Sequence, residues 1–333
     1  MLSHLRANLW LFGLSLLLCC VIYPGLLLVI GKAAFPNQAE GSLVYDRDGK
    51  PIGSRLIAQP FTADEFFQPR PSAVSYNAAA SGASNWGANN PLLRDRVARQ
   101  LGPIVRYRSG TKAHQLVGPD IEKWFQQKPG IVAQWAQDHP TLARNWVTSD
   151  PANSDAVQSW KAAHPAEVAR WISENPDTPE PKPEDLATLY FVDFSSTHPG
   201  DFPVATESKG ADGKTVKTIA PASTGTDIQS TFFDMWRQEH SQEDLEQVPA
   251  DMVMASGSGL DPDITLSNAL YQLDRVAAKW ASETRRDPSQ VRSEIEAMLH
   301  EKAHAPFGGL AGVELVNVLE LNLALKERYR PAH

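Results

Sequence analysis

The sequence predicts an α+β protein: a single N-terminal transmembrane helix, then a soluble α/β-mixed domain that carries a mostly helical insertion. Three observations predict it. Residues 7–31 hold no charged side chain, and at about 1.5 Å per residue such a run crosses a hydrocarbon core about 30 Å thick. Hairpin and capped-helix signals cluster in residues 35–101 and again in 248–330. Between them, residues 102–247 carry a tryptophan–proline repeat. The chain thus divides into 1–34 (tail and span), 35–101 with 248–330 (soluble domain) and 102–247 (insertion).

The span reads Leu9-Trp10-Leu11-Phe12-Gly13-Leu14-Ser15-Leu16-Leu17-Leu18 and continues to Ile30. Pro24 is expected to kink the helix rather than end it, because spanning helices tolerate proline where neighbours satisfy the freed carbonyl. Trp10 stands where an interfacial ring would. A cleaved signal peptide, cut at Gly31-Lys32-Ala33, is the competing reading; signal cores run only about 7–15 apolar residues, which favours a retained span. Arg6 and the terminal amine against Lys32 favour an inside N-terminus by a small margin. Cys19 and Cys20 are the only cysteines, so the soluble part holds no disulfide and no thiolate metal site.

After the span, Ser42-Leu43-Val44-Tyr45 and residues 52–57 flank Asp46-Arg47-Asp48-Gly49-Lys50, a hairpin signal. Pro69 and Pro71 exclude a helix around them. Residues 77–90 read as an ordered loop, with Pro91 opening a helix over 92–101. Towards the C-terminus, Asp261-Pro262 predicts an N-cap and a first helical residue for a helix over 263–280. Asp287-Pro288 predicts a second start, for 289–302, and a strand over 313–318 leads into a helix over 319–326.

In the insertion, Trp124, Trp135, Trp146, Trp160 and Trp171 are spaced by 11, 11, 14 and 11, and each has a proline five residues on: Pro129, Pro140, Pro151, Pro165 and Pro176. The pattern predicts two-turn helices, each restarted by a proline at its first position. One unit cannot bury a tryptophan alone, so the units are expected to stack. Residues 177–227 turn to Pro, Gly, Ser, Thr and Lys and read as a poorly ordered loop, with a further short helix over 231–247. For the segment as a whole, a partner surface and a solvent-facing decoration stay open.

Chemistry is sparse. The net charge of -8 argues against nucleic acid as the main partner. Ser256-Gly257-Ser258-Gly259 is the one candidate cofactor-binding loop: its amides could cradle a phosphate ahead of a helix. It lacks the Gly-Lys-Ser/Thr ending of a P-loop, and Asp261 and Asp263 would repel a phosphate there; a flexible entry to the capped helix is the other reading. The nine histidines form no metal pattern, and His139 and His164 sit where an N-cap role suffices. No His-Glu-x-x-His helix, nucleophile elbow or Asp-Lys-Thr-Gly-Thr phosphorylation loop is present, so no catalytic residue and no metal site is predicted.

Several strings in register resemble the C subunit of the bacterial high-affinity potassium-transporting ATPase, the Kdp complex. They include Tyr23-Pro24, residues 39–43, Arg70-Pro71-Ser72-Ala73, Tyr76-Asn77, residues 80–85 and Asn90-Pro91. Downstream come residues 255–264, Gln272, Arg275-Val276-Ala277 and residues 316–325. Ala83, Gln68-Pro69 and Glu314-Leu315 depart from the family pattern, and the insertion has no counterpart in its short members. The resemblance implies a non-catalytic subunit in the bacterial inner membrane, single-pass, with its N-terminus cytoplasmic and its soluble domain periplasmic. It implies three partners besides membrane lipid: the channel-like A subunit, the P-type B subunit that hydrolyses ATP, and a small F subunit. The implied role is to stabilise the complex and to act as a catalytic chaperone that raises the B subunit's affinity for ATP, with no stably bound cofactor and ATP as the possible ligand. Expected partner contacts are Leu14, Leu18, Tyr23 and Pro24 on the span, and Arg70, Ser81, Gly82, Asn85 and Asp261 in the soluble domain.

Two rivals differ in class. An anchored hydrolase would need a base beside Ser84 or Ser256. A membrane-anchored or secreted extracytoplasmic binding protein would use the Trp–Pro repeats on a ligand.

Overall fold

In the computed structural model, which describes residues 2–46, 48–209 and 215–330, the chain begins with α1 (Leu2–Leu16), a π-helical stretch (Leu17–Ile22) and α2 (Tyr23–Ala34). Then come α3 (Pro36–Ala39), β1 (Leu43–Tyr45), β2 (Pro51–Ser54) and α4 (Pro91–Leu101). The middle of the chain holds α5 (Gly118–Gln126), α6 (Ile131–Asp138), α7 (Pro140–Ser149), α8 (Pro151–Ala163) and α9 (Pro165–Glu174). A 3-10 turn (Pro183–Leu186) leads to α10 (Ala187–Thr197), the pair β3 (Phe202–Lys209) and β4 (Thr215–Ala222), and α11 (Thr226–Glu239). The C-terminal part holds α12 (Ala250–Val253), β5 (Asp263–Thr265), α13 (Leu266–Thr284), α14 (Pro288–Lys302), β6 (Leu315–Asn317) and α15 (Val318–Tyr329). The mixture of helices and antiparallel strand pairs agrees with an α+β class. Backbone contacts divide the chain into one unit of Met1–Asn85 with Val248–His333 and another of Trp86–Gln247.

The apolar N-terminal helix is continuous from Ser3 to Ala34, and its most apolar 18-residue window has a mean hydropathy of 2.5. At about 1.5 Å per residue its 32 residues reach roughly 48 Å, long enough to span a bilayer with turns to spare. None of its most apolar window is buried. The irregularity expected at Pro24 sits just before it. Proline lacks an N–H and its ring crowds the carbonyl four residues back; the preceding turn opens to π geometry, with the Tyr23 amide donating to the Leu18 carbonyl.

In the first unit, β1 and β2 pair antiparallel as the Asp-Gly signal predicts, and the Asp46 carboxylate accepts from the Asp48 and Lys50 amides across the turn. Arg47 in that turn lies outside the described residues. The core is a three-helix layer of α13, α14 and α15 closed at one end by β5 and β6. Ile264 pairs with Val316, and both are fully buried. This strand corrects one expectation. Asp261 and Pro262 do not start the helix; residues 263–265 extend to pair with β6, and Thr265 caps α13 by accepting from the Asn268 amide. Burying Ile264 against Val316 outweighs extending the helix by one turn, and the Asp261 carboxylate accepts from the Asp263 amide in a turn that mimics a cap. The second start holds: Asp287 caps α14, with Pro288 first in the helix.

In the second unit, the Trp–Pro pattern is right for α7, α8 and α9, which open on Pro140, Pro151 and Pro165. It fails at Pro129, which precedes α6 by two residues, and at Pro176, which opens no helix. Trp124, Trp135, Trp146 and Trp160 are buried, while Trp171 is half-buried. What buries them corrects another expectation. Residues 177–227 hold a helix and a hairpin rather than a loop, because Leu186, Tyr190, Phe191 and Phe202 lie within the polar-looking stretch. Trp135 meets Phe191 edge-on at 5.1 Å and Phe202 at 5.6 Å, and Trp146 stacks on Tyr190 at 5.8 Å. Residues 210–214 of that stretch lie outside the described ones. Gly102 is required here: a Cβ would sit 2.0 Å from the Gln229 carbonyl oxygen of α11.

His139 and His164 stand at the N-cap positions of α7 and α9 without a side-chain cap bond there; the His164 and His240 rings instead place Nδ1 2.9 and 2.8 Å from the Trp160 and Trp236 carbonyls. His139, His164, His198 and His240 each follow an aromatic residue by four, and each amide donates to that residue's carbonyl at 2.8–3.0 Å. The rings of His164, His198 and His240 stack on Trp160, Phe194 and Trp236 at 4.6–4.8 Å. They close helix C-termini, which explains their repeat spacing without a metal.

Candidate functional site

Residues 64–68 of the first unit form no helix or strand, yet Phe67 is fully buried. A buried irregular backbone must find partners for its N–H and C=O groups. Side chains from two helices supply them. The buried amide of Asn322 on α15 accepts from the Phe67 amide and donates to the Phe67 carbonyl, both at 2.9 Å. Gln272 on α13 does the same for Gln68, at 2.8 and 3.0 Å. Arg275 donates to the carbonyls of Asp64 and Phe66, and the Trp280 indole donates to that of Glu65. Burial lowers the Arg275 pKa, and Asp64 and Glu65 act against that.

The clamp fixes where the next loop begins. Arg70 donates to Asp261 at 3.0 Å, with both side chains part-exposed. The Ser72 hydroxyl donates to the Gly259 carbonyl at 2.6 Å and accepts from the Val74 and Tyr76 amides. The Tyr76 hydroxyl returns to the Arg70 carbonyl at 2.9 Å, and burial raises its pKa. The Ser256 amide donates to the Pro71 carbonyl, and the Gly82 amide and Ser81 hydroxyl donate to the Ser258 carbonyl. Gly259 adopts φ +68°, and a Cβ there would lie 2.6 Å from Val74 and 2.8 Å from the Gly82 carbonyl oxygen.

This geometry brings together Arg70, Ser81, Gly82, Ser256, Ser258, Gly259 and Asp261. Asn85, in left-handed backbone at φ +52°, is exposed, as is Gly257. Leu14, Leu18 and Tyr23 are exposed on the apolar helix, and Pro24 is partly so. Residues 256–259 form the glycine–serine loop whose amides are expected to cradle a phosphate. The loop does not open a helix, since β5 intervenes, and the amides of Ser256, Gly259 and Leu260 already have partners. Gln272, Arg275, Trp280 and Asn322 emerge only from the structure as clamp residues. Their one local signal is a polar group set on an otherwise apolar helix face. No group of three or more potential metal ligands occurs among the described residues.

Comparison with known proteins converges on one family. The chain matches the family described as "KdpC: K+-transporting ATPase, c chain" over residues 5–121 and 219–327. It is 48% identical over 333 residues to the potassium-transporting ATPase KdpC subunit of Caulobacter vibrioides, covering 99% of this chain and 96% of that one. Against the KdpC subunit of Janthinobacterium sp. it is 28% identical over 329 residues, covering 98% and 99%. The KdpC subunit of Methanosphaerula palustris is 54% identical over 102 residues, which is 31% of this chain and 55% of that one. Against relatives of this last kind the match spans about half their length, whereas in the first two it runs through the insertion as well. This chain belongs to the KdpC family.

Proposed function

We propose that this chain is a non-catalytic subunit of the potassium-transporting ATPase, held in the bacterial inner membrane by its N-terminal helix. The N-terminus is cytoplasmic and the body extracytoplasmic. It assembles with the channel-like A subunit, the ATP-hydrolysing B subunit and the small F subunit, stabilises that complex, and acts as a chaperone for ATP binding by the B subunit. One observation carries this reading: the helix over Ser3–Ala34 exposes almost all of its apolar surface. Such a surface needs lipid and partner helices. Partner contact falls to Leu14, Leu18, Tyr23 and Pro24 on that helix and to the fastened loops around Arg70, Ser81, Gly82, Asn85 and Asp261. The partnered amides of Ser256, Gly259 and Leu260 favour a fastening role for that loop, so an effect on ATP affinity would pass through contact with the B subunit.

Extraction of native membranes in mild detergent, with affinity capture of this chain, should recover the large pump subunits together. Recovery of a clean monomer from membranes that contain an assembled pump would refute the reading. N-terminal sequencing of the mature chain decides against the secreted alternative if it begins before residue 33.

A further inference from the structure

Within the second unit, α4 and α11 border a cleft of about 420 Å³, within the usual range for small-ligand sites. Trp86, Leu92 and Leu142 supply its apolar walls. Arg96 and Arg99, one helical turn apart on α4, both line it. Arg96 lies over the Trp86 ring at 4.8 Å, which orients the guanidinium, and its buried Nε has no hydrogen-bond partner. Arg99 is half-buried, and no hydrogen bond or ion pair joins its side chain to another described residue. The buried Oε1 of Gln100, beside them, also has no partner.

A guanidinium carries five donors in a fixed fork and cannot shed its charge, so leaving two of them unspent in a walled cleft is costly. Asp227 and Asp95 favour the charged form of Arg99 from a distance, but burial outweighs them. Neither carboxylate fills the fork: Asp95 is paired with Arg94 at 3.5 Å, and Asp227 is exposed at the rim. Two forks call for an oxyanion, which they engage with paired N–H···O bonds. The orphaned acceptor on Gln100 calls for a hydroxyl or N–H on the same ligand.

We propose that this cleft binds a small oxyanion, a carboxylate or phosphate ester that also carries a hydrogen-bond donor, held by Arg96 and Arg99 and oriented by Gln100. The role is independent of the pump assignment, since it rests on the second unit alone.

Calorimetric titration of the full chain in mild detergent tests it, with inorganic phosphate and citrate as ligands and sodium chloride as control at constant ionic strength. A saturable heat with either ligand is expected, and the stronger of the two identifies the oxyanion type. Arg99→Gln and Arg96→Gln should abolish it, and Arg99→Lys, which keeps the charge but loses the fork, should weaken it about tenfold. Heats no larger than those of chloride, or binding unchanged in the variants, would overturn the site. Should Arg99→Gln fail to fold, undiminished affinity in Arg99→Lys would overturn it equally.

Discussion

In the first unit, residues 64–68 are held by amide, guanidinium and indole donors that pair with their backbone; in the second, the short helices α5 to α8 are held by interlocking rings. The difference follows from what each segment lacks. Residues 64–68 have no secondary structure, so their peptide groups need partners, and only polar side chains such as Asn322 and Gln272 can supply them in a dry core. The helices of the second unit satisfy their own backbone but are too short to be stable alone, so they need buried area, which Trp135, Trp146, Phe191 and Phe202 provide. Polar clamps fix a conformation; aromatic stacks supply free energy. The comparison therefore predicts different failures on mutation.

The largest effect is expected in the second unit. Trp135→Ala removes a ring that is 1% exposed and touches three aromatic neighbours, and should cost about 3–5 kcal/mol in urea unfolding followed by aromatic circular dichroism. A cost under about 1 kcal/mol would mean that the stack is not what holds these helices. Next comes Asn322→Ala, which orphans the Phe67 amide and carbonyl at about 1–3 kcal/mol for each group. Its signature is local: hydrogen exchange at Phe67 should accelerate before the unit unfolds, whereas loss of protection everywhere at once would break the contrast between the two units. Gly259→Ala should cost about 1–3 kcal/mol through the left-handed backbone and the clash with Val74, and should free the Ser258 carbonyl from Gly82. Wild-type stability in that variant would show that the fastened loops yield easily.

The smallest effect is electrostatic. The Arg286 guanidinium, with Tyr329 and Arg328, holds the Glu294 carboxyl down at about 2. Because the folded value lies below the unfolded one, this pairing stabilises the protein fully above the ordinary carboxylate range and loses its contribution as pH falls from there toward about 2. Melting temperatures of Glu294→Gln and the wild type should therefore differ at neutral pH and converge on acidification; a gap that widens in acid would contradict the assignment.

Much of the fold is legible locally. The Asp46–Lys50 turn, the Asp287 cap and three of the proline starts are read from a few neighbouring residues, because turns and caps are short-range hydrogen-bond patterns. Sequence and structure part where a distant partner changes the balance. Residues 263–265 look like a helix start until β6 lies beside them. Residues 177–227 look loose because an average over composition hides Tyr190, Phe191 and Phe202, whose value depends on meeting Trp135 and Trp146. The site is half visible: the strings containing Arg70 and Asp261 stand out, but not the hydrogen bond that joins these two across 191 positions.

The sequence by itself determined the apolar N-terminal helix, the family, and the order of capped helices, since hydropathy, spacing and caps are properties of contiguous residues. Only the tertiary structure decided which polar side chains became clamps, that the glycine–serine loop fastens to residues 70–82, and that two guanidiniums share one cleft. The reason is physical: a donor's worth depends on whether its partner and its solvent are removed, and both are set by chain segments far away in sequence.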